Sequence, residues 1–261
     1  MTLHPALYIW FFALGAAIGS FANVCVYRLP RELSVVYPRS SCIPCGNLVR
    51  FYDNVPLLSF LWLGGRCRSC GSIIGIRYPL IELLTAFTTV FVVQARGISF
   101  QSFYILVAAV ALIIVSAVDL EHRIIPDVIS IPGIWIGVAA ALLAHWLGIR
   151  WWVTWKESML GLALGGGLLR GVGKLYEGIT GREGIGFGDV KLLALFGASF
   201  GPAAVVTSLF FASLLGAFSG LTLMTFWGKG SKYPIPFGPF LCLGLLIHAV
   251  GGQRLIARMF F

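Results

Sequence analysis

Charge is what this sequence has least of. Of 261 residues only 11% are Asp, Glu, Lys or Arg, and just 10 of these are acidic. A soluble domain carries roughly a quarter charged residues. With 58% hydrophobic residues and a mean hydropathy of +0.91, no soluble fold of this length hides so much apolar surface. The 32 glycines do not offset the deficit, because glycine adds no polar side chain. A basic residue before the first apolar run is also missing, whereas Arg28 and Arg31 follow it. That polarity argues against a cleavable signal peptide and predicts a first helix inserted with its N-terminus outside.

A spanning helix uses about 20 residues. Apolar runs bounded by charge or turn signals predict spans at Leu7–Tyr27, Leu80–Ala95, Ser102–Val118, Val128–Leu147, Ser158–Leu175, Val190–Phe200, Ala203–Trp227 and Pro236–Val250. The expected fold is therefore an all-α polytopic membrane protein with about eight transmembrane helices. The sixth run, short before Gly201-Pro202, is either a half-span or starts earlier. Eight spans put both termini outside. Arg28, Arg31, Arg39, Arg50, Arg66, Arg68, Arg77, Arg123, Arg170, Lys174, Arg182, Lys191, Lys229 and Lys232 then mark the cytoplasmic side. Arg96, Arg150, Lys156, Arg254 and Arg258 fall outside, a bias expected of cytoplasmic loops. Topology thus explains most of the net charge of +9, and no nucleic-acid partner is expected.

Residues 28–79 differ from the rest: they are polar, seven times basic, and carry four of the six cysteines. A segment this short usually needs a metal or disulfides to hold a fold. Cys42-Ile43-Pro44-Cys45-Gly46 and Cys67-Arg68-Ser69-Cys70-Gly71 form two CxxCG turns, each offering two thiolates, and four thiolates suit tetrahedral zinc. An iron–sulfur centre or redox thiols are the competing readings; a cytoplasmic address argues against disulfides. The expected division is residues 1–27 as a first helix, 28–79 as a small cytoplasmic zinc-binding domain between helices one and two, and 80–261 as a membrane domain. Cys25 and Cys242, inside apolar runs, read as buried inert thiols. In the fifth run Gly161/Gly165 and Gly167/Gly171 share helix sides, spacing that lets helix backbones approach in lipid.

Charges at the edge of apolar spans are costly and therefore informative. Asp119 ends the third run, and Asp189 opens the sixth within Gly186-Phe187-Gly188-Asp189. Counting spans places both at one membrane face. Two adjacent carboxylates share a proton; one activates water while the other donates to a carbonyl oxygen, as an aspartic protease requires. Gly186 and Gly188 would leave room for an extended substrate. The competing reading is structural: Asp189 as a helix N-cap, or Lys191 or Arg123 neutralising a carboxylate. Asp127, after Pro126, reads as the N-cap of the fourth span. Glu121, His122 and Arg123 read as solvated or headgroup contacts. These residues fit a peptidase of membrane-associated substrates, another intramembrane GxGD protease, or a zinc-bearing scaffold that leaves the aspartates unexplained.

The chain resembles the bacterial type IV prepilin leader peptidase/N-methyltransferases. The resemblance is carried by Gly19-Ser20-Phe21-Ala22-Asn23-Val24, Tyr27-Arg28-Leu29-Pro30, both cysteine turns, Asp53-Asn54-Val55-Pro56-Leu57-Leu58-Ser59 and Arg77-Tyr78-Pro79-Leu80-Ile81-Glu82. Asp119 with Pro126-Asp127, Gly186 to Leu192 and Pro236-Phe237-Gly238-Pro239 complete it. Two departures are Cys-Ile-Pro-Cys, where the family often has proline directly after the first cysteine, and Ile185, often methionine. The resemblance implies a multi-pass protein of the bacterial inner membrane whose active site faces the cytoplasm. Asp119 and Asp189 are its implied catalytic pair, and Cys42, Cys45, Cys67 and Cys70 its implied zinc ligands. It implies cleavage of prepilins or pseudopilins between glycine and phenylalanine, then methylation of the new N-terminus by S-adenosylmethionine. No glycine-rich nucleotide-binding turn accompanies that second activity; Asp53, Asn54 and Glu82 are its candidate residues. Asp53 otherwise caps a turn, and Glu82 otherwise snorkels from the second span.

Overall fold

The computed structural model describes residues 4–181, 186–228 and 235–249. Arg182, Ile185, Lys229, Lys232, Val250, Arg254 and Arg258 lie outside them. Nine α-helices are described: α1 Pro5–Arg28, α2 Leu58–Trp62, α3 Arg77–Arg96, α4 Phe100–His122, α5 Asp127–Trp146, α6 Trp155–Thr180, α7 Phe187–Phe200, α8 Pro202–Trp227 and α9 Gly238–Ile247. All but the short α2 coincide with a predicted apolar run. Among the described residues five helices (the first running on to Arg31, then α3, α4, α5 and α8) are long and apolar enough to cross a membrane. The chain divides into two compact units, 1–117 and 118–261.

In the first unit α1 packs along α3. Gly15 and Gly19 make this possible: a Cβ on Gly19 would stand 2.6 Å from the Glu82 Cα, and one on Gly15 2.7 Å from the Ala86 Cα. Thr85 and Thr89, fully buried in α3, return their hydroxyls to Ile81 and Thr85 carbonyls, so they bring no unpaired group into that seam.

The second unit is built around α7, which packs against α5, α6, α8 and α9. Every residue from Leu192 to Ser199 is buried. The short sixth run does start earlier, at Phe187, and its helix ends at Phe200 with Gly201 as the cap. Fourteen residues rise only about 21 Å, short of a hydrocarbon core of roughly 30 Å. The helix instead lies inside its unit, where protein rather than lipid covers it. Gly161 and Gly165 of α6 meet the Gly197 and Leu193 carbonyls of α7, backbone on backbone. Gly167 and Gly171 do not repeat this; no described atom lies where their Cβ atoms would reach, so only the first half of the glycine stripe packs. A capping box, Thr154 with Glu157, starts α6, and the Ser158 hydroxyl bonds the Ala198 carbonyl at 2.6 Å.

Candidate functional site

The two carboxylates expected to act together do meet. Asp119 sits in the last turn of α4 and is buried; Asp189 sits in the first turn of α7. Both line one cavity of about 290 Å³, with Ile125, Gly186 and Gly188 among its walls, and the two groups are near enough to repel each other electrostatically. Gly186, not Asp189, occupies the N-cap position of α7, so the capping role weighed for Asp189 does not arise.

The nearby charges sort themselves. Lys191 does not reach Asp189; its Nζ bonds Asp127 Oδ1 at 2.5 Å and lies 4.6 Å from the centre of the Phe187 ring. Asp127 is accordingly not the N-cap of α5. It is the first helical residue, Pro126 holds the cap position with extended ψ, and the Asp127 side chain turns to Lys191 instead of a backbone N–H. Arg123, expected in solvent or headgroups, lines the aspartate cavity with Lys191, at a left-handed φ of +57°.

Two glycines at the cavity have packing partners of their own. A Cβ on Gly188 would stand 3.0 Å from the Ile125 Cβ, and one on Gly186 3.3 Å from Asp189 Oδ2. A third glycine was missed as a site residue. The Gly238 N–H, at the start of α9, donates to Asp119 Oδ2 at 2.9 Å, and a Cβ there would stand 2.8 Å from that oxygen. The string Pro236-Phe237-Gly238-Pro239 was visible in the sequence; the 119 positions between Gly238 and Asp119 hid its purpose.

In the first unit the two cysteine turns are copies offset by 25 residues. Cys42 N–H donates to Asn47 and Gly46 N–H to the Cys42 carbonyl; Cys67 N–H donates to Ser72 and Gly71 N–H to Cys67. Gly46 and Gly71 hold φ of +70° and +69°, which a side chain would strain. The isolated pairs Ser41–Leu48 and Arg66–Ile73 close the two loops alike. All four sulfurs lie within 4.8 Å of one another, and Cys42 Sγ stands 3.8 Å from Cys70 Sγ. A tetrahedral metal with bonds of about 2.3 Å to sulfur has edges of about 3.8 Å, so the four can hold a metal ion.

The thiol electrostatics fit such an ion. The Ser72 hydroxyl and N–H pull Cys70 down to about 6. The Cys45 N–H lowers Cys42. At Cys45 the Asn47 N–H also favours the thiolate, but burial and the Cys42 and Cys70 sulfurs override it and push it up to about 11. A dication removes that mutual penalty.

The candidates for methyl transfer have definite places. Asp53 does not cap a turn; it takes three hydrogen bonds from the Arg68 guanidinium at 2.7–3.1 Å, which hold its carboxyl below the usual range. Glu82 does not snorkel; it is buried, and its Oε2 accepts the Leu57 N–H at 2.8 Å. Cys25 and Cys242 are buried, as expected, and neither forms a disulfide among the described residues.

Residues 13–95 match the bacterial peptidase A24 N-terminal domain, and residues 106–221 match the type IV leader peptidase family. The chain belongs to that family. It is 34% identical to a prepilin leader peptidase/N-methyltransferase of Pseudomonas aeruginosa, covering 97% of this chain and 93% of the relative. Enzymes of the same description from Pseudomonas putida and Dichelobacter nodosus are 32% and 34% identical, over 98% and 96% of this chain and 95% and 94% of theirs. No solved structure matches significantly. Within the family frame, the two matched regions contain the cysteine cluster and both aspartates respectively.

Proposed function

We propose that this chain removes the leader peptide from type IV prepilins or pseudopilins and then N-methylates the exposed N-terminal residue. Near-full-length similarity to enzymes so named supports both activities. The observation that carries the peptidase chemistry is the shared cavity of Asp119 and Asp189, with Lys191 diverted to Asp127. With Lys191 held on Asp127, the pair can hold one proton between them, and Arg123 attracts the charge on Asp119. The ionised carboxylate takes a proton from water as its oxygen attacks the peptide carbonyl, and the protonated one hydrogen-bonds the developing oxyanion. Gly238 holds one Asp119 oxygen, leaving the other to work; Gly186 and Gly188 flank the cut peptide.

The excess of basic residues in predicted cytoplasmic loops supports an inner-membrane protein cutting at the cytoplasmic face, at a Gly–Phe junction, with about eight crossings and lipid against its exposed apolar helices. Cys42, Cys45, Cys67 and Cys70 bind structural zinc, which sulfur-only tetrahedral coordination favours. Leader cleavage is assigned to residues 80–261 and methyl transfer to the unit carrying residues 28–79. S-adenosylmethionine supplies an electrophilic methyl group: the amine lone pair takes it, the carbon–sulfur bond breaks, and the amine gives up a proton.

The test is incubation of the purified chain with a prepilin bearing a basic leader and a Gly–Phe junction, plus methyl-labelled S-adenosylmethionine. Shortened pilin carrying label on its N-terminus is expected. Asp119→Asn and Asp189→Asn should each abolish shortening while leaving the protein in the membrane; near-normal cleavage by either overturns the dyad.

A further inference from the structure

A cavity of about 800 Å³ lies in the first unit between the C-terminal turns of α1, the first turns of α3 and the cysteine turns. Its size is that of a small-molecule pocket, typically about 300–1,000 Å³. Two buried acceptors on its wall lack what they are built to meet.

Asn23, 2% exposed, donates its amide to the Gly19 carbonyl at 3.3 Å and the Tyr78 carbonyl at 3.0 Å. Those carbonyls fix its orientation, since the flipped amide would set oxygen against oxygen. Its Oδ1 is left buried without a partner among the described residues. Native proteins rarely leave such an atom unpaired unless a ligand or water completes it.

Glu82, 8% exposed, has its carboxylate held by the Leu57 N–H and the Ser20 hydroxyl. No cation among the described residues pairs with it. Arg28 lines the same cavity, but its guanidinium is spent on the Ser34 and Pro38 carbonyls at 2.7 Å each. Arg68 is spent on Asp53, and Arg50 bonds the Tyr52 hydroxyl. A buried carboxylate without a counter-charge calls for a cationic ligand. Leu57, whose N–H completes Glu82, holds a left-handed φ of +62° with ψ of −50°. A bulky side chain there is strained, and such strain collects where a site must be held in place.

We propose that this cavity binds the methyl donor, with Glu82 facing its sulfonium charge and Asn23 Oδ1 accepting one of its N–H or O–H groups. The inference rests on the methyltransferase reading above and adds the place and the contacts. A positively charged, donor-rich molecule of nucleoside size is what an unpaired carboxylate and an unpaired amide oxygen in such a space select.

The test compares two probes on the full-length chain in detergent: S-adenosylmethionine, and S-adenosylhomocysteine, which lacks the methyl and with it the sulfonium charge but keeps the rest of the molecule. Glu82→Gln should weaken the first by about tenfold or more and the second by less than about threefold, because only the first loses a charge partner. Ile74→Trp, at a half-buried cavity wall position outside the helices, should weaken both by about tenfold by filling the space. Metal content reports folding; if Glu82→Gln loses its metal, Ile74→Trp decides the location. Equal loss of both probes in Glu82→Gln overturns the charge assignment. Wild-type binding in both variants, beside a wild type that methylates cleaved prepilin, overturns the cavity and leaves the methyltransferase reading standing. A wild type that cleaves but binds neither probe and transfers no methyl overturns the reading itself.

Discussion

The Gly238 backbone N–H donates to Asp119 Oδ2 at 2.9 Å, so the start of α9 orients a carboxylate at the end of α4. The absence of a Cβ at Gly238 is part of that bond, because one would stand 2.8 Å from the same oxygen. Gly238→Ala must push the carboxylate or α9 aside, and a displacement of about 1 Å can cost on the order of 10²-fold in rate. Prepilin cleavage should fall by that order, with insertion unchanged. Gly216→Ala, whose Cβ meets only ordinary contacts at 3.8 Å or beyond, should cleave normally in the same assay.

Asp127 is the near neighbour that is not assigned to the pair. Its side chain is exposed and joined to Lys191, and exposed ion pairs contribute only about 0–1 kcal/mol. Asp127→Asn therefore costs little stability but releases Lys191 into the cavity it shares with the aspartates, so cleavage should fall, though far less than in Asp189→Asn. A loss as deep as that of Asp189→Asn would transfer the catalytic role to Asp127.

The equivalence of the two cysteine turns has a measurable consequence. If they are halves of one tetrahedral site, Cys42→Ser and Cys67→Ser should lose metal alike, and the wild type should carry about one zinc per chain. Metal analysis that finds zinc retained in one variant and lost in the other would separate the turns into independent sites.

Stripped of metal, the four thiols should differ in reactivity. Cys70, held at about 6, is mostly thiolate at pH 7 and loses that form as pH falls through 6; Cys45, at about 11, stays protonated. Iodoacetamide labelling of the chelated protein, mapped by mass spectrometry, should start at Cys70 with a midpoint near pH 6. Ser72→Ala removes the hydroxyl that lowers Cys70 and should move that midpoint upward.

The glycines of α6 should split by partner. Gly165→Ala drives a methyl into the Leu193 carbonyl and should lower the thermal unfolding midpoint and disturb the α6–α7 pairing. Gly171→Ala meets no described atom, and replacing a helical glycine by alanine favours the helix by roughly 0.5–1 kcal/mol. Its midpoint should hold or rise.

The apolar runs placed eight helices because length and hydropathy are local properties of the chain. The cysteine turns were equally legible: a CxxCG string fixes its own loop geometry through bonds between neighbours, so its repetition announced a four-sulfur cluster. The partner of Lys191 was not legible. Asp119, Asp127 and Asp189 were all within reach on sequence alone, and only packing α7 against α5 chose Asp127. The same holds for Glu82, which composition would send toward water and which α1, packed against α3, buries instead.

The sequence by itself determined the solvent, the helices, the metal-type cluster and the two aspartates worth attention, because each depends on residues close together in the chain. Tertiary structure alone decided what each charge meets: Gly238 for Asp119, Lys191 for Asp127, Leu57 for Glu82, and nothing yet for the Asn23 oxygen. Such partners are joined through tertiary contacts over separations from 25 to 119 positions, where no local pattern records the pairing.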